Sequence, residues 1–227
     1  LRGMLVGYIA EMKLWDWFGQ DNRVTDLRKD DDHDRTQKGD LVFKYKGHEF
    51  RIEAKCLQTN DIAVLGPNGA GKSTLIKSIC GLLRFQGTIT INGQENNTVE
   101  AKRLLGYVPE FPVLYPMLTV GEHLEFIAKA YRLEDWEERG EALLHRFELD
   151  DKKMKLGKEL SKGMQQKVSV CCALLPQPKA VIMDEPLVGL DPHGIRELKA
   201  IIAQLRDSGC ALLVSTHMIE SVEEDWG

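Results

Sequence analysis

The sequence of 227 residues has little of what marks a membrane-spanning, secreted or nucleic-acid-coating protein. No apolar run approaches the about 20 residues a helix needs to cross a bilayer. The longest candidates, such as VSVCCALL at 168–175, suit a buried helix instead. The opening residues, LRGMLVGYIAEM, lack the apolar core and small-residue cleavage site of a secretory leader. Positive charge is not in excess: 30 Lys and Arg against 35 Asp and Glu leave a net charge of -5. That balance argues against binding nucleic acid through bulk charge. Five cysteines, at 56, 80, 171, 172 and 210, form an odd set with no Cys-x-x-Cys pair. They read as reduced, mostly buried thiols of a cytosolic protein. Internal repeats and low-complexity tracts are absent. A chain that starts at Leu1 and stops at Gly227, just after an apparent helix start, reads as cut at both ends.

What is present falls into two parts. Leu1, Leu5, Tyr8, Met12, Trp15 and Phe18 fall on one helical face, and residues 19–40 are polar and charge-rich, expected as loop. Within them His33 sits among Asp30, Asp31, Asp32 and Asp34, a solvated acidic loop rather than a metal site. LVFKY and EFRIEA flank Lys46-Gly47-His48 and read as a hairpin. A turn at Gly47-His48 would pair residue 42 with 53 and 40 with 55. From about 61 onward, apolar strands alternate with helices. These are IAVL at 62–65, a helix over 72–83, GTITING, YVP, a Thr119-x-x-Glu122 capping box, WEERGEALLHRF, a helix capped by Ser161, AVIMDEP, a helix opened by Asp191-Pro192, and ALLVSTH. Such alternation predicts an α/β fold, a mainly parallel sheet covered on both faces.

The residues with the clearest chemistry lie between the strand at 62–65 and the helix that follows. Gly66-Pro-Asn68-Gly69-Ala-Gly71-Lys72-Ser73-Thr74 fits G-x-x-x-x-G-K-[ST] in full. Its glycines let backbone N–H groups turn inward around phosphate oxygens, and the helix N-terminus adds partial positive charge. Lys72 is placed to reach the β- and γ-phosphates and Ser73 to ligate Mg²⁺. AVIMDEP supplies the hydrolytic half. Asp184 ends an apolar strand and is expected to hold Mg²⁺ through a water. Glu185 beside it is expected to polarise the attacking water, a role worth about 10²- to 10⁴-fold in rate.

A third stretch, Leu160-Ser161-Lys162-Gly163-Met164 followed by Gln165-Gln166-Lys167, resembles the L-S-G-G-Q signature of the ATP-binding cassette (ABC) family. From about 61 to 227 the chain is similar to the ATP-binding subunits of that family's transporters. Gly189-Leu190-Asp191 resembles the loop after the acidic pair, and Ser215-Thr216-His217 the strand end that carries the family's switch histidine. The resemblance implies a P-loop NTPase fold with an inserted helical subdomain over about 108–157. It implies ATP and Mg²⁺ as cofactors, with Ser161, Gly163 and Met164 facing the ATP of a second ATP-binding subunit, homo- or heteromeric. It further implies a transmembrane permease partner, a cytoplasmic position at the inner face of the membrane, and export driven by ATP-dependent dimer closure. FPVLYPMLTVGEHLEF looks most like exporter cassettes.

Three positions depart from the family pattern. Glu110 stands where glutamine is usual among the metal ligands. At ~5 Å and an effective dielectric of 20, its repulsion of triphosphate is on the order of 3 kcal/mol before metal compensation. Slower turnover or sharper metal dependence is one reading, simple loop variation the other. Tyr45 is the nearest candidate for the aromatic that stacks on adenine, at a short distance from Gly66. The family's last strands and helices, after His217, are expected to be missing.

Residues 1–60 form the second part of the expected division, with 61–227 as the cassette. Asp40, Glu53 and Lys55 share the charged face of the hairpin. With Glu11 on the preceding helix, they resemble the Asp…(Asp/Glu)-x-Lys centre of restriction-endonuclease-like nucleases. Two readings stand: a fragment of such a module, or a hairpin with one solvated charged face forming an atypical front end to the cassette. Nucleic acid is a partner only under the first.

Overall fold

A computed structural model of the chain describes residues 24–29, 41–45, 48–58, 61–65, 71–85 and 89–216, with side chains in the last two segments. Alternation along the central strands explains the architecture. On β8 (Ala180–Asp184), Val181 and Met183 point to one face and Ile182 to the other; β9 (Ala211–Thr216) repeats this with Leu212, Val214 and Leu213. Both faces are apolar, so both must be covered, the condition for a parallel sheet between helices. On one side lie α5 (Lys162–Leu174) and α6 (Pro192–Asp207), which supply Val168, Cys171, Leu198 and Ile202. On the other lie α1 (Lys72–Ile79) and α2 (Val99–Arg103), with Ile76, Cys80 and Ala101.

One seven-stranded sheet carries the order β1-β2-β3-β4-β9-β8-β7. β4 (Asp61–Leu65), β9, β8 and β7 (Leu105–Val108) run parallel; β1 (Val24–Lys29), β2 (Leu41–Tyr45) and β3 (His48–Gln58) add to the edge antiparallel. β3 is long enough to serve two neighbours. Residues 48–52 pair with β2 and residues 53–58 with β4, so one strand joins the hairpin to the central sheet. A separate hairpin, β5 (Thr90–Ile91) and β6 (Gln94–Glu95), turns at Asn92 and Gly93, both with positive φ as a tight two-residue turn requires.

Between β7 and β8 the chain builds a helical layer from α3 (Val120–Tyr131), α4 (Glu137–Arg146) and two short 3₁₀ turns. Leu124, Leu144, Phe147 and Leu149 are fully buried there and continue into the core under α5. Among the described residues no helix is long and apolar enough to cross a membrane.

Three expectations need correction. The hairpin register is Val42 with Arg51 and Leu41 with Ile52, two residues from the expected pairing, because His48 already belongs to β3 and pairs with Tyr45. A slip of two keeps Leu41, Phe43, Phe50 and Ile52 on one face, so the pattern could not discriminate. β1 lies inside the stretch expected as loop; an edge strand tolerates charged side chains, and its polar composition hid it. The helix after the P-loop ends at Ile79 instead of continuing to 83. The Asn96 side chain donates to the carbonyls of Ser78 (2.8 Å) and Ile79 (2.9 Å), and Gly81 adopts φ 70° against the Asn96 backbone. The proposed helix over 1–18 lies outside the described residues, as does the acidic loop at 30–34.

Candidate active site

β4, β9 and β8 end side by side: Leu65 is level with Thr216, and Ser215 with Asp184. The carboxyl edge of a parallel sheet is where such folds bind ligands, because helix N-termini gather there. α1 begins here with Gly71, whose φ of 93° only glycine adopts without strain. Lys72 follows, and its ammonium lies 3.4 Å from Glu185, which comes from the end of β8; the two side chains are 6 % and 7 % exposed. The pair joins a P-loop lysine to an acid 113 positions away in sequence. Ser73 and Thr74 occupy the next two positions of α1.

Asp184 is 1 % exposed and held by Ser215, whose hydroxyl donates to its Oδ1 at 2.5 Å. Glu185 leaves the strand in left-handed backbone, φ 49°, an arrangement costing about 1–3 kcal/mol for a residue with a side chain. Its N–H donates to both the carbonyl and the hydroxyl oxygen of Ser215, each at 3.1 Å, and this fixes the turn. Nearby, burial pushes the Tyr107 hydroxyl up to about 12, with Cys80, Asp184 and Glu110 adding negative charge. Burial, and then Asp184, also raises the Cys80 thiol to about 12. Glu110, half-buried, follows β7 by two residues, and β7 runs parallel beside β8.

The signature stretch opens α5. Ser161 caps it, its hydroxyl accepting from the Met164 N–H at 3.3 Å. A Cβ on Gly163 would run into the carbonyl oxygen of Gly189, so the α5 N-terminus and the loop after Glu185 touch backbone to backbone. That loop ends in Asp191, which caps α6 by accepting from Gly194 N–H at 2.9 Å. The bond holds the Asp191 carboxyl below the ordinary aspartate range, with Lys167 adding to the effect.

The structure therefore brings Lys72, Asp184, Glu185 and Glu110 to one edge and sets Ser161, Gly163, Met164 and Asp191 together beside it. Gly66, Asn68, Gly69, His217, Asp40 and Glu11 lie outside the described residues. Tyr45 ends β2, and Glu53 and Lys55 sit on β3 opposite Leu65 and Ala63 of β4. Sequence reasoning missed two partners. Ser215 was visible only as a neighbour of His217, and Lys167 only as a residue trailing the signature. A polar residue inside an apolar strand was the available signal for the first.

A parallel sheet with a glycine–lysine–serine turn after one strand and paired acids after another defines a P-loop ATPase. The sequence pattern of the ABC transporter family matches residues 51–188. The chain is 40 % identical over 173 residues to the ABC-type transporter ATP-binding protein EcsA of Bacillus subtilis, covering 74 % of this chain and 70 % of EcsA. It is 37 % identical over 166 residues to the SkfA peptide export ATP-binding protein SkfE of the same organism, covering 72 % and 70 %. A solved ATP-binding subunit of an ABC transporter superposes with a TM-score of 0.70 at 36 % identity, over 89 % of this chain and 81 % of that one. The chain belongs to the ABC transporter family as an ATP-binding subunit, and it is an ATPase.

Proposed function

We propose that Mg²⁺-dependent hydrolysis of ATP at the Lys72–Asp184–Glu185 edge powers export through a membrane permease. The observation that carries this reading is the buried pair of Lys72, at the start of α1, and Glu185, just past the end of β8. Gly66, Asn68, Gly69, Gly71, Ser73 and Thr74 would wrap the phosphates, with Lys72 reaching the β- and γ-oxygens. Glu185 would orient the attacking water, and His217, next in sequence after β9, would contact the γ-phosphate. Tyr45 is the candidate for stacking on adenine. Ser73, Asp184 and Glu110 form an all-oxygen donor set, the chemistry that suits Mg²⁺. The bound metal would supply charge neutralisation at the β- and γ-phosphates. Ser161, Gly163 and Met164 serve a second ATP-binding subunit, so that ATP closes a homo- or heterodimer across these two surfaces.

The permease would dock beside the helical layer. There the segment after β7 exposes Phe111, Val113 and Met117 at 73 %, 86 % and 66 %, with Phe126 beside them. A neighbouring cavity of about 440 Å³ is lined by Tyr107, Tyr115, Phe126 and Tyr131. An apolar patch of this kind on a charged surface marks a protein contact. It would hold the subunit at the cytoplasmic face of a membrane. Export, rather than uptake, rests on similarity to relatives such as SkfE.

A DNA-cleaving alternative centred on Asp40, Glu53 and Lys55 is not favoured. Glu53 and Lys55 fall inside the segment matched by the ABC family and on a strand paired with β4. We infer that residues before 61 are an atypical front end of the cassette. The test is Mg-ATP turnover by the purified chain and by Glu185→Gln, with ATP binding by Lys72→Ala. Turnover that survives Glu185→Gln removes the role given to that acid; equal binding by Lys72→Ala removes the phosphate cradle.

A further inference from the structure

The hydrolytic edge is short of positive charge within its own subunit. Lys72 stands there with Asp184 and Glu185, its ammonium 3.4 Å from the Glu185 carboxylate. Val108 of β7 pairs with Met183 of β8, and Glu110 and Glu185 each follow that pair by two positions. One ammonium thus meets three carboxylates before a triphosphate adds its own negative charge, more than one divalent cation cancels. The start of α5 holds the opposite imbalance. Of the described helices, only α1 and α5 begin with a lysine and carry no acid in the first turn. A helix N-terminus carries partial positive charge and repels a cation placed on it. At α1 bound phosphate would offset that repulsion. Lys162 at α5 is exposed and forms no ion pair among the described residues. Ser161 holds the turn by accepting from Met164 N–H, and Gly163 packs on Gly189. Lys162 is the one charged side chain among these four signature residues.

We propose that Lys162 is a phosphate-binding residue that acts across the dimer, its ammonium meeting the terminal phosphate of the ATP held by a second copy of this chain. This rests on the reading of Ser161, Gly163 and Met164 as the surface that faces the other subunit's ATP. Each ATP then lies between two lysines at two helix N-termini, Lys72 from one copy and Lys162 from the other. The second ammonium offsets the carboxylate that Glu110 brings to the same ATP. Closure becomes a charge-neutralising step. The excess of carboxylate and phosphate on one surface meets the uncompensated lysine on the other. Attraction between such exposed surfaces is screened by salt.

The experiment measures ATP-dependent self-association by analytical ultracentrifugation in the Glu185→Gln chain, chosen so that ATP is not consumed, with further changes at 162 and 110. Lys162→Met should weaken association at least tenfold, while the ATP affinity of the dilute single subunit stays within twofold. Lys162→Arg, which keeps the charge, should stay within threefold of the parent. Adding Glu110→Gln to Lys162→Met should recover most of the loss, because one carboxylate fewer then needs an ammonium. Added salt should weaken the parent more than Lys162→Met. Lys162→Gln serves in place of Lys162→Met if that variant does not fold. Unchanged association in Lys162→Met overturns the proposal. So does an equal loss in Lys162→Arg, which marks shape rather than charge, or a parallel loss of affinity in the single subunit. A double variant that recovers nothing overturns the charge balance with Glu110. A Glu185→Gln chain that binds ATP yet stays monomeric sinks the facing-subunit reading and the proposal with it. Association that forms but ignores residue 162 sinks only the role of the lysine.

Discussion

At the scale of single residues, the site depends on how the strand ends restrain two adjacent acids. Asp184 and Glu185 are consecutive, and Ser215 holds both. Its hydroxyl donates to the Asp184 carboxylate while its carbonyl and hydroxyl oxygens accept from the Glu185 N–H. Ser215→Ala leaves a buried carboxylate oxygen without its donor, at a cost of about 1–3 kcal/mol. In a chain of this size that corresponds to a melting temperature lower by about 2–4 °C per kcal/mol. Thermal melting monitored by circular dichroism checks it, and an unchanged midpoint would mean that Asp184 finds another donor. The acids themselves were legible, because DEP after a run of apolar residues is a local pattern. Ser215 was not, because its partnership exists only once β8 and β9 lie side by side in parallel register.

At the scale of elements, local capping was readable where a non-local cap was not. Thr119 caps α3 as its sequence predicts: its hydroxyl accepts from Glu122 N–H at 3.1 Å, and Glu122 accepts from Thr119 N–H at 2.7 Å. The Thr119 N–H bonded to the Glu122 carboxylate, with the Thr119 hydroxyl adding to it, holds this exposed carboxyl below its ordinary range. Ser161 and Asp191 cap α5 and α6 for the same local reason. The C-terminus of α1, by contrast, is set by Asn96, eighteen and seventeen positions beyond the carbonyls it reaches. The window around 72–83 holds one stop signal, Gly81 with φ 70°, but not Asn96. The start of α3 carries more than its cap. Val120 N–H donates to Lys155, Gly157 N–H to Leu118, and His123 bonds both Thr119 carbonyl (2.7 Å) and Tyr115 N–H (2.9 Å). The two ring nitrogens thus tie the start of α3 to the segment before it. Thr119→Ala removes only the cap and should cost about 1 kcal/mol, seen as a small drop in the unfolding midpoint with urea. A loss several times larger would show that the segment from 115 to 119 depends on the cap to hold its place.

For the molecule as a whole, the division expected at residue 60 meets a sheet that runs across it. β3 pairs with β2 at one end and β4 at the other, and the family match begins at 51. A strand pattern shows which face is apolar but not which neighbour lies at each edge, so continuity of the sheet was invisible. The helical layer between β7 and β8 was legible as helices, yet its exposed side was not. That side is the proposed permease contact. Val113 and Met117 project from the segment that joins β7 to α3, and neither touches the buried acids. Burying them against a permease would contribute on the order of 2 kcal/mol each by area alone, enough to weaken assembly when both are lost. Val113→Ser with Met117→Ser should leave ATP turnover of the isolated subunit within twofold of wild type. The same double variant should fail to co-purify with the permease from detergent-solubilised membranes. Val113 follows the last residue of β7, Val108, by five positions, and Val108 pairs with Met183 of β8. Undiminished co-purification would place the permease contact elsewhere on the subunit, and a matching loss of turnover in isolation would show that this segment shapes the nucleotide site rather than the contact.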